Sequence, residues 1–147
     1  MNAFAPFAPL APAPLARSNP ARGAVAGGVA VLLRLEGLAV FAVALAAYAR
    51  LDTSWIAFAA LFLAPDLAMA AYLAGPRRGA FVYNLAHAYP APLALGAAGL
   101  ALGSGPVEAL ALAWIAHIGL DRALGFGLKY ATGFNHSHLG RIGRGAS

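Results

Sequence analysis

Cysteine is absent from this 147-residue chain, which excludes disulfides, thiolate catalysis and cysteine-type zinc sites. Charge is scarce. Only 10% of residues are Asp, Glu, Lys or Arg, where a soluble domain carries about a quarter. No glycine-rich loop follows a strand-like run, so there is no nucleotide site to propose. The ten basic residues outnumber the five acidic ones, but they are not interleaved with aromatics as a single-strand binder requires, and nucleic acid is not an expected partner. What fills the chain instead is apolar: 61% of its residues are hydrophobic. A core of this length could not bury that much surface, and a lipid bilayer is the simplest place for it.

Residues 1–23 are rich in Ala and Pro and lack a basic stretch ahead of an apolar core, so they read as a disordered tail rather than a secretory signal. Four apolar stretches follow, at about 25–49, 54–74, 79–102 and 106–128. Each approaches the roughly 20 residues that cross a hydrocarbon core as a helix. The expected fold is therefore all-α, an integral membrane bundle of about four transmembrane helices over 24–130, with a short basic tail over 131–147. The links are short, which makes sequence neighbours antiparallel neighbours in space. Asp52 or Thr53 is placed to cap the second helix, and Gly75-Pro76 to end it. Arg17, Arg22, Arg77, Arg78, Lys129, Arg141 and Arg144 fall on one side and Arg50 on the other. The positive-inside rule then puts both termini in the cytoplasm of a multi-pass cell-membrane protein.

Ionisable side chains inside a bilayer cost about 2.5–3.5 kcal/mol each on insertion scales and usually face a protein interior or a wet cavity. Every stretch here carries one. Counting 1.5 Å per residue from the cytoplasmic ends, Glu36 and His117 lie about 16 Å deep, Asp66 and His87 about 12 Å, and Asp121 and Arg122 about 9–11 Å. His117 and Asp121 are four apart and share a helix face, as do Tyr83 and His87, with Asn84 alongside. Arg34 and Glu36 are two apart and cannot both enter one seam. Glu36 is expected to point inward, and Arg34 to sit at a helix contact or reach toward Asp66 or Asp121. Pro65 precedes Asp66, and Pro90 frees the Ala86 carbonyl, so kinked backbone is expected beside these groups.

Arg34, Glu36, Asp66, Tyr83, Asn84, His87, His117, Asp121 and Arg122 thus form an expected polar intramembrane cluster. His117, Asp121, His87 and Glu36 are its candidate metal ligands, suited to zinc, iron or manganese. No HExxH or paired ExxH pattern accompanies them. His136 and His138 read as a solvated tail rather than as ligands. Gly27-Gly28, Gly37 and Gly125-Phe126-Gly127 read as sites of close helix contact.

The runs Leu33-Arg34-Leu35-Glu36-Gly37, Pro65-Asp66, Tyr83-Asn84-Leu85-Ala86-His87, His117-Ile118-Gly119-Leu120-Asp121-Arg122, Gly125-Phe126-Gly127-Leu128-Lys129-Tyr130, Thr132-Gly133-Phe134 and His138-Leu139-Gly140 together resemble a family of small bacterial membrane proteins, domain of unknown function 4260. The resemblance spans about 30–141 and departs mildly at Ser137, where the family pattern has threonine. It implies a bacterial inner-membrane protein and brings no activity with it.

Three readings follow. The cluster binds or moves a proton, metal ion or small solute. Alternatively it serves a membrane enzyme, a metal-dependent hydrolase or oxidase, with a histidine as base. In the third, it clamps a structural or partner-binding bundle. Four helices make a small wall for a channel, and a homodimer is the arrangement that would enlarge it.

Overall fold

The computed structural model describes residues 24–141. The tail expected over 1–23, with Arg17 and Arg22, lies outside the described residues, as does Arg144. Helix α1 runs Gly27–Tyr48 and buries Gly37, Ala44 and Tyr48, leaving most of its apolar surface outward. Helix α2 runs Trp55–Leu63. Its cap is Ser54, whose hydroxyl accepts from the Ile56 N–H at 3.2 Å. Neither Asp52 nor Thr53 serves, because the extended residue directly before the helix is Ser54.

After Leu63 the chain tightens into a 3-10 helix over Ala64–Ala74. Pro65 has no N–H to give and interrupts the α-helical ladder at its start. Eleven residues is long for this geometry, which stacks every third side chain. Burial follows that period. Ala64, Leu67, Ala70 and Leu73 form an exposed column, with Leu73 94% exposed. Pro65, Ala68 and Ala71 form a buried to half-buried one, and the next holds half-buried Asp66 and Tyr72 with Met69, more exposed, between them. The tighter winding is what aligns Asp66 with Tyr72; an α-helix would turn them apart.

Gly75, at φ 102°, reverses the chain, and α3 begins at once with Pro76 and runs to Ala86. The helix expected from residue 79 so starts three residues earlier, since proline is at home in a first helical turn. The third apolar stretch is also not one helix. It breaks at His87 and resumes as α4, Pro90–Leu102. Helix α5 runs Gly105–Leu124 and stops at Gly125, whose φ of 92° gives a left-handed cap four residues before the expected end at 128.

Three helical stretches, Gly27–Tyr48, Trp55–Ala74 and Pro76–Leu102, are long and apolar enough to cross a membrane. Helix α5 is as long and stands at the centre, packed by α1, α2 and α4. It buries Ala109, Ala111, Ala113, Ala116, His117, Ile118 and Gly119, so His117 is enclosed by protein. The 3-10 helix packs on α3. The result is the expected all-α membrane bundle, with one central helix rather than four equal ones.

Two glycines set the α1–α5 distance. A Cβ at Gly37 would lie 2.8 Å from the Ala123 nitrogen, and one at Gly119 would lie 2.7 Å from the Phe41 nitrogen. Gly27 and Gly28 have nothing within 4 Å and mediate no such contact. Beyond α5, the segment expected as a solvated tail folds back. Strands β1, His136–Ser137, and β2, Gly140–Arg141, form a small antiparallel hairpin. The His138 N–H donates to the Leu128 carbonyl at 3.1 Å, the Val25 N–H donates to the His138 carbonyl at 2.8 Å, and Ser137 and Leu139 are buried.

Because backbone cannot retreat, Gly119→Ala is expected to destabilise the protein by about 1–3 kcal/mol, whereas Gly28→Ala leaves stability unchanged. Thermal unfolding of the two variants in one detergent decides this, and equal midpoints would contradict the packing described.

Candidate functional site

The site begins at the break between α3 and α4. Pro90 cannot donate, so the carbonyls of the last α3 turn need other partners. They have them. The Trp114 indole N–H donates to the Ala86 carbonyl at 2.6 Å, and Arg122 Nη2 donates to the His87 carbonyl at 2.8 Å. Arg122 Nη1 donates to the Phe126 carbonyl at 2.8 Å, closing the C-terminus of α5 with the same guanidinium. The break is therefore a built feature, held from α5.

His87 caps α3, and its ring is fully buried. Its Nδ1 lies 2.9 Å from the Tyr83 carbonyl, which can only accept, so Nδ1 carries the proton. The neutral ring then presents a lone pair at Nε2. The Tyr83 ring stacks on it at 3.7 Å and 9°, fixing its plane. From α5, buried His117 brings its own Nε2 to 3.2 Å from His87 Nε2. Phe62 packs edge-on against His117 at 5.2 Å.

Two carboxylates complete the group. Asp66 Oδ1, from the 3-10 helix, lies 3.6 Å from each of the two Nε2 atoms. Asp121 Oδ2 lies 3.7 Å from His87 Nε2 and 3.9 Å from His117 Nε2, and also accepts from the Tyr83 hydroxyl at 3.2 Å. Ligand atoms of Asp66, His87 and His117 all fall within 4.8 Å of one another. Donors held about 2.0–2.2 Å from a tetrahedral ion lie about 3.3–3.6 Å apart, so the spacing suits one ion. The Asp66 side chain is 39% exposed, and through it the cluster reaches the surface.

Of the nine residues expected to share the cluster, Asp66, His87, His117 and Asp121 converge, and Tyr83 and Arg122 hold them. Asn84 acts one step away: its amide clamps the backbone of Lys129, accepting from the N–H at 2.7 Å and donating to the carbonyl at 2.9 Å. Arg34 and Glu36 are not brought in. Arg34 is exposed, with its guanidinium packed over Gly125. Glu36 does not point inward. Gly37 occupies the seam against α5, which turns its neighbour Glu36 to the surface, beside a crevice of about 210 Å³ shared with Tyr89, Arg122 and His138. Asp66, not Glu36, is the carboxylate that stands beside the two histidines with Asp121. A larger cavity of about 760 Å³, between Arg50, Leu93 and Glu108, is mostly apolar and is lined by none of the cluster residues.

The family described as "Domain of unknown function (DUF4260)" matches residues 30–142. The chain belongs to this family. No curated protein and no solved structure matches the chain. As a member of DUF4260 it inherits no assigned activity, and the matched region contains the whole cluster together with the hairpin that follows α5.

Sequence reasoning missed Trp114, although it stands three residues before His117 and so on the same side of α5. It also missed the tail histidine's role. His138 Nδ1 accepts from the Leu128 N–H at 2.9 Å and lies against Gly127. Burial, then the nearby Arg122 charge, hold its pKa below the ordinary histidine range. Neither His136 nor His138 joins the cluster.

Two predictions follow from these contacts. Trp114→Phe keeps the ring but orphans the Ala86 carbonyl, and should lower stability by about 1–3 kcal/mol; an unchanged unfolding midpoint would contradict this. His138 resists protonation when folded, so the unfolded chain takes up that proton first. Its contribution is complete above about pH 6.5 and is lost as pH falls below that value. His138→Asn keeps an acceptor but does not titrate, and should lose less stability than wild type between pH 7 and pH 5. Parallel losses in the two proteins would contradict the assignment.

Proposed function

We propose that this protein is a multi-pass membrane protein that binds one divalent first-row metal ion within the bilayer, through His87, His117, Asp66 and Asp121. The observation that carries this reading is the convergence of donors from three separate elements: two imidazole Nε2 atoms 3.2 Å apart, each 3.6–3.9 Å from a carboxylate oxygen of Asp66 and of Asp121. Charge points the same way. Two carboxylates and two imidazoles share this small space in a medium of low dielectric, where a carboxylate without a counter-charge is costly. Arg122 spends its donors on carbonyls, and among the described residues no arginine or lysine pairs with either aspartate. A divalent cation balances both at once. Imidazole and carboxylate donors without thiolate favour zinc, iron or manganese.

A partly exposed ligand suits exchange or chemistry better than a sealed structural site does. A metal held there by two histidines and one or two carboxylates supplies Lewis acidity and can acidify a bound water. His87 and His117 orient it, Tyr83 steadies Asp121 by donating to it, and Phe62 keeps bulk water from one side. For orientation, Arg77, Arg78 and Lys129 lie at one end of the bundle and Arg50 at the other, which supports a cytoplasmic location for the hairpin end in a cell membrane.

Elemental analysis of the purified full chain tests the reading. About one equivalent of metal per chain is expected, lost in His117→Ala and in Asp66→Asn while Glu36→Gln retains it. Wild-type metal content in both cluster variants, or none in wild type after loading with zinc, iron or manganese, would overturn it.

A further inference from the structure

The chain has a single lysine, Lys129, and the structure buries it. Only 4% of the residue is exposed, and among the described residues Nζ has no hydrogen-bond partner. Three aromatic rings surround it instead: Phe134 at 4.1 Å, Tyr83 at 5.1 Å and Phe126 at 5.9 Å. The position is firmly built, since Asn84 holds both backbone groups of Lys129 and a bridge ties it to Ser137. Burial depresses its pKa below the ordinary lysine range, against the opposing influence of the Asp121 carboxylate. The rings stabilise an ammonium by cation–π attraction, but they leave its strongest valence, a charge-assisted hydrogen bond to an anion, unused.

A second buried donor lies on the same ring. The Tyr72 hydroxyl is enclosed and has no hydrogen-bond partner among the described residues, and the Tyr72 ring meets Phe134 edge-on at 5.4 Å. Phe134 thus adjoins the Lys129 ammonium and the Tyr72 ring while being 39% exposed itself, in a turn segment outside the helices. Tyr83, which touches both Lys129 and Phe134, is the residue that donates to Asp121. A group bound under Phe134 would therefore adjoin the four-residue cluster through one shared ring.

We propose that Lys129 and Tyr72 form an anion subsite beneath Phe134, and that the ligand brought to the cluster carries a phosphate or carboxylate group. The subsite stands on its own observations; the statement that its occupant goes on to the metal rests on the metal reading above. The shared chemistry admits two sources, a free anion from solution or the head group of an anionic lipid at this end of the bundle.

A single lysine makes the test direct. Full-length protein in neutral-lipid nanodiscs, labelled with 13Cε-lysine, gives one lysine side-chain signal. It would be titrated with inorganic phosphate and, separately, prepared with phosphatidic acid in the disc, each with and without zinc. A saturable shift of the Lys129 signal is expected. Phosphate acting alone identifies a soluble ligand, and phosphatidic acid acting alone a lipid head group. Phe134→Ala should bring the half-point to lower concentration, and Tyr72→Phe should raise it by about tenfold, the loss of one charge-assisted contact. If neither probe moves the signal, in wild type or in Phe134→Ala, the subsite is overturned. Zinc uptake with an unmoved lysine would sink this inference alone. A lysine shift in protein that takes up no metal would sink the metal reading alone.

Discussion

Hydrocarbon offers no hydrogen bonds, and the arrangement of this bundle depends on that constraint more than on any single contact. A backbone carbonyl left without a donor in lipid costs several kcal/mol, roughly what one insertion-scale charge costs. Pro65 and Pro90 each break a helix in a chain that cannot rely on water for repair. The consequences are visible at both points. After Pro65 the chain adopts a 3-10 helix, keeping its bonds internal while turning Asp66 inward. At Pro90 it recruits Trp114 and Arg122 from the central helix to meet the carbonyls of Ala86 and His87. The repairs bring the broken ends of two segments onto one face of α5, and His117 and Asp121 lie on that face.

Position and chemistry are therefore linked. His87 is rigid because it terminates a helix, donates to the carbonyl of Tyr83 and stacks on its ring. That bond also settles which nitrogen is free. The close approach at Gly37 and Gly119 brings α1 against α5 backbone to backbone, while Phe62, Tyr83 and His87 close over its polar residues. A cluster built this way needs no unusual motif. It needs one polar donor from each broken segment and two from the central helix, against which α1, α2, α4 and the 3-10 helix pack.

Much of this was legible in the sequence, and the failures are instructive. The four apolar stretches, the stacking of His117 with Asp121 and of Tyr83 with His87, and the orphaned Ala86 carbonyl all follow from helical spacing and proline chemistry. Glu36 could not be placed correctly. Its depth matched that of His117, but depth says nothing about rotation, and the residue that owns the seam is the adjacent Gly37. The 3-10 winding was also invisible: Pro65 announces a disturbance, not its eleven-residue length. The hairpin after α5 looked polar and tail-like because its order comes from backbone bonds to Leu128 and Val25, which no side-chain pattern reveals.

The central claim is that two histidines and two aspartates from three elements share one ion inside the bilayer. X-ray absorption at the metal edge of zinc-loaded protein in lipid tests it most directly. The account predicts a light-atom shell at about 2.0–2.2 Å with the outer-shell scattering of two imidazole rings. An all-oxygen shell without imidazole scattering would contradict it.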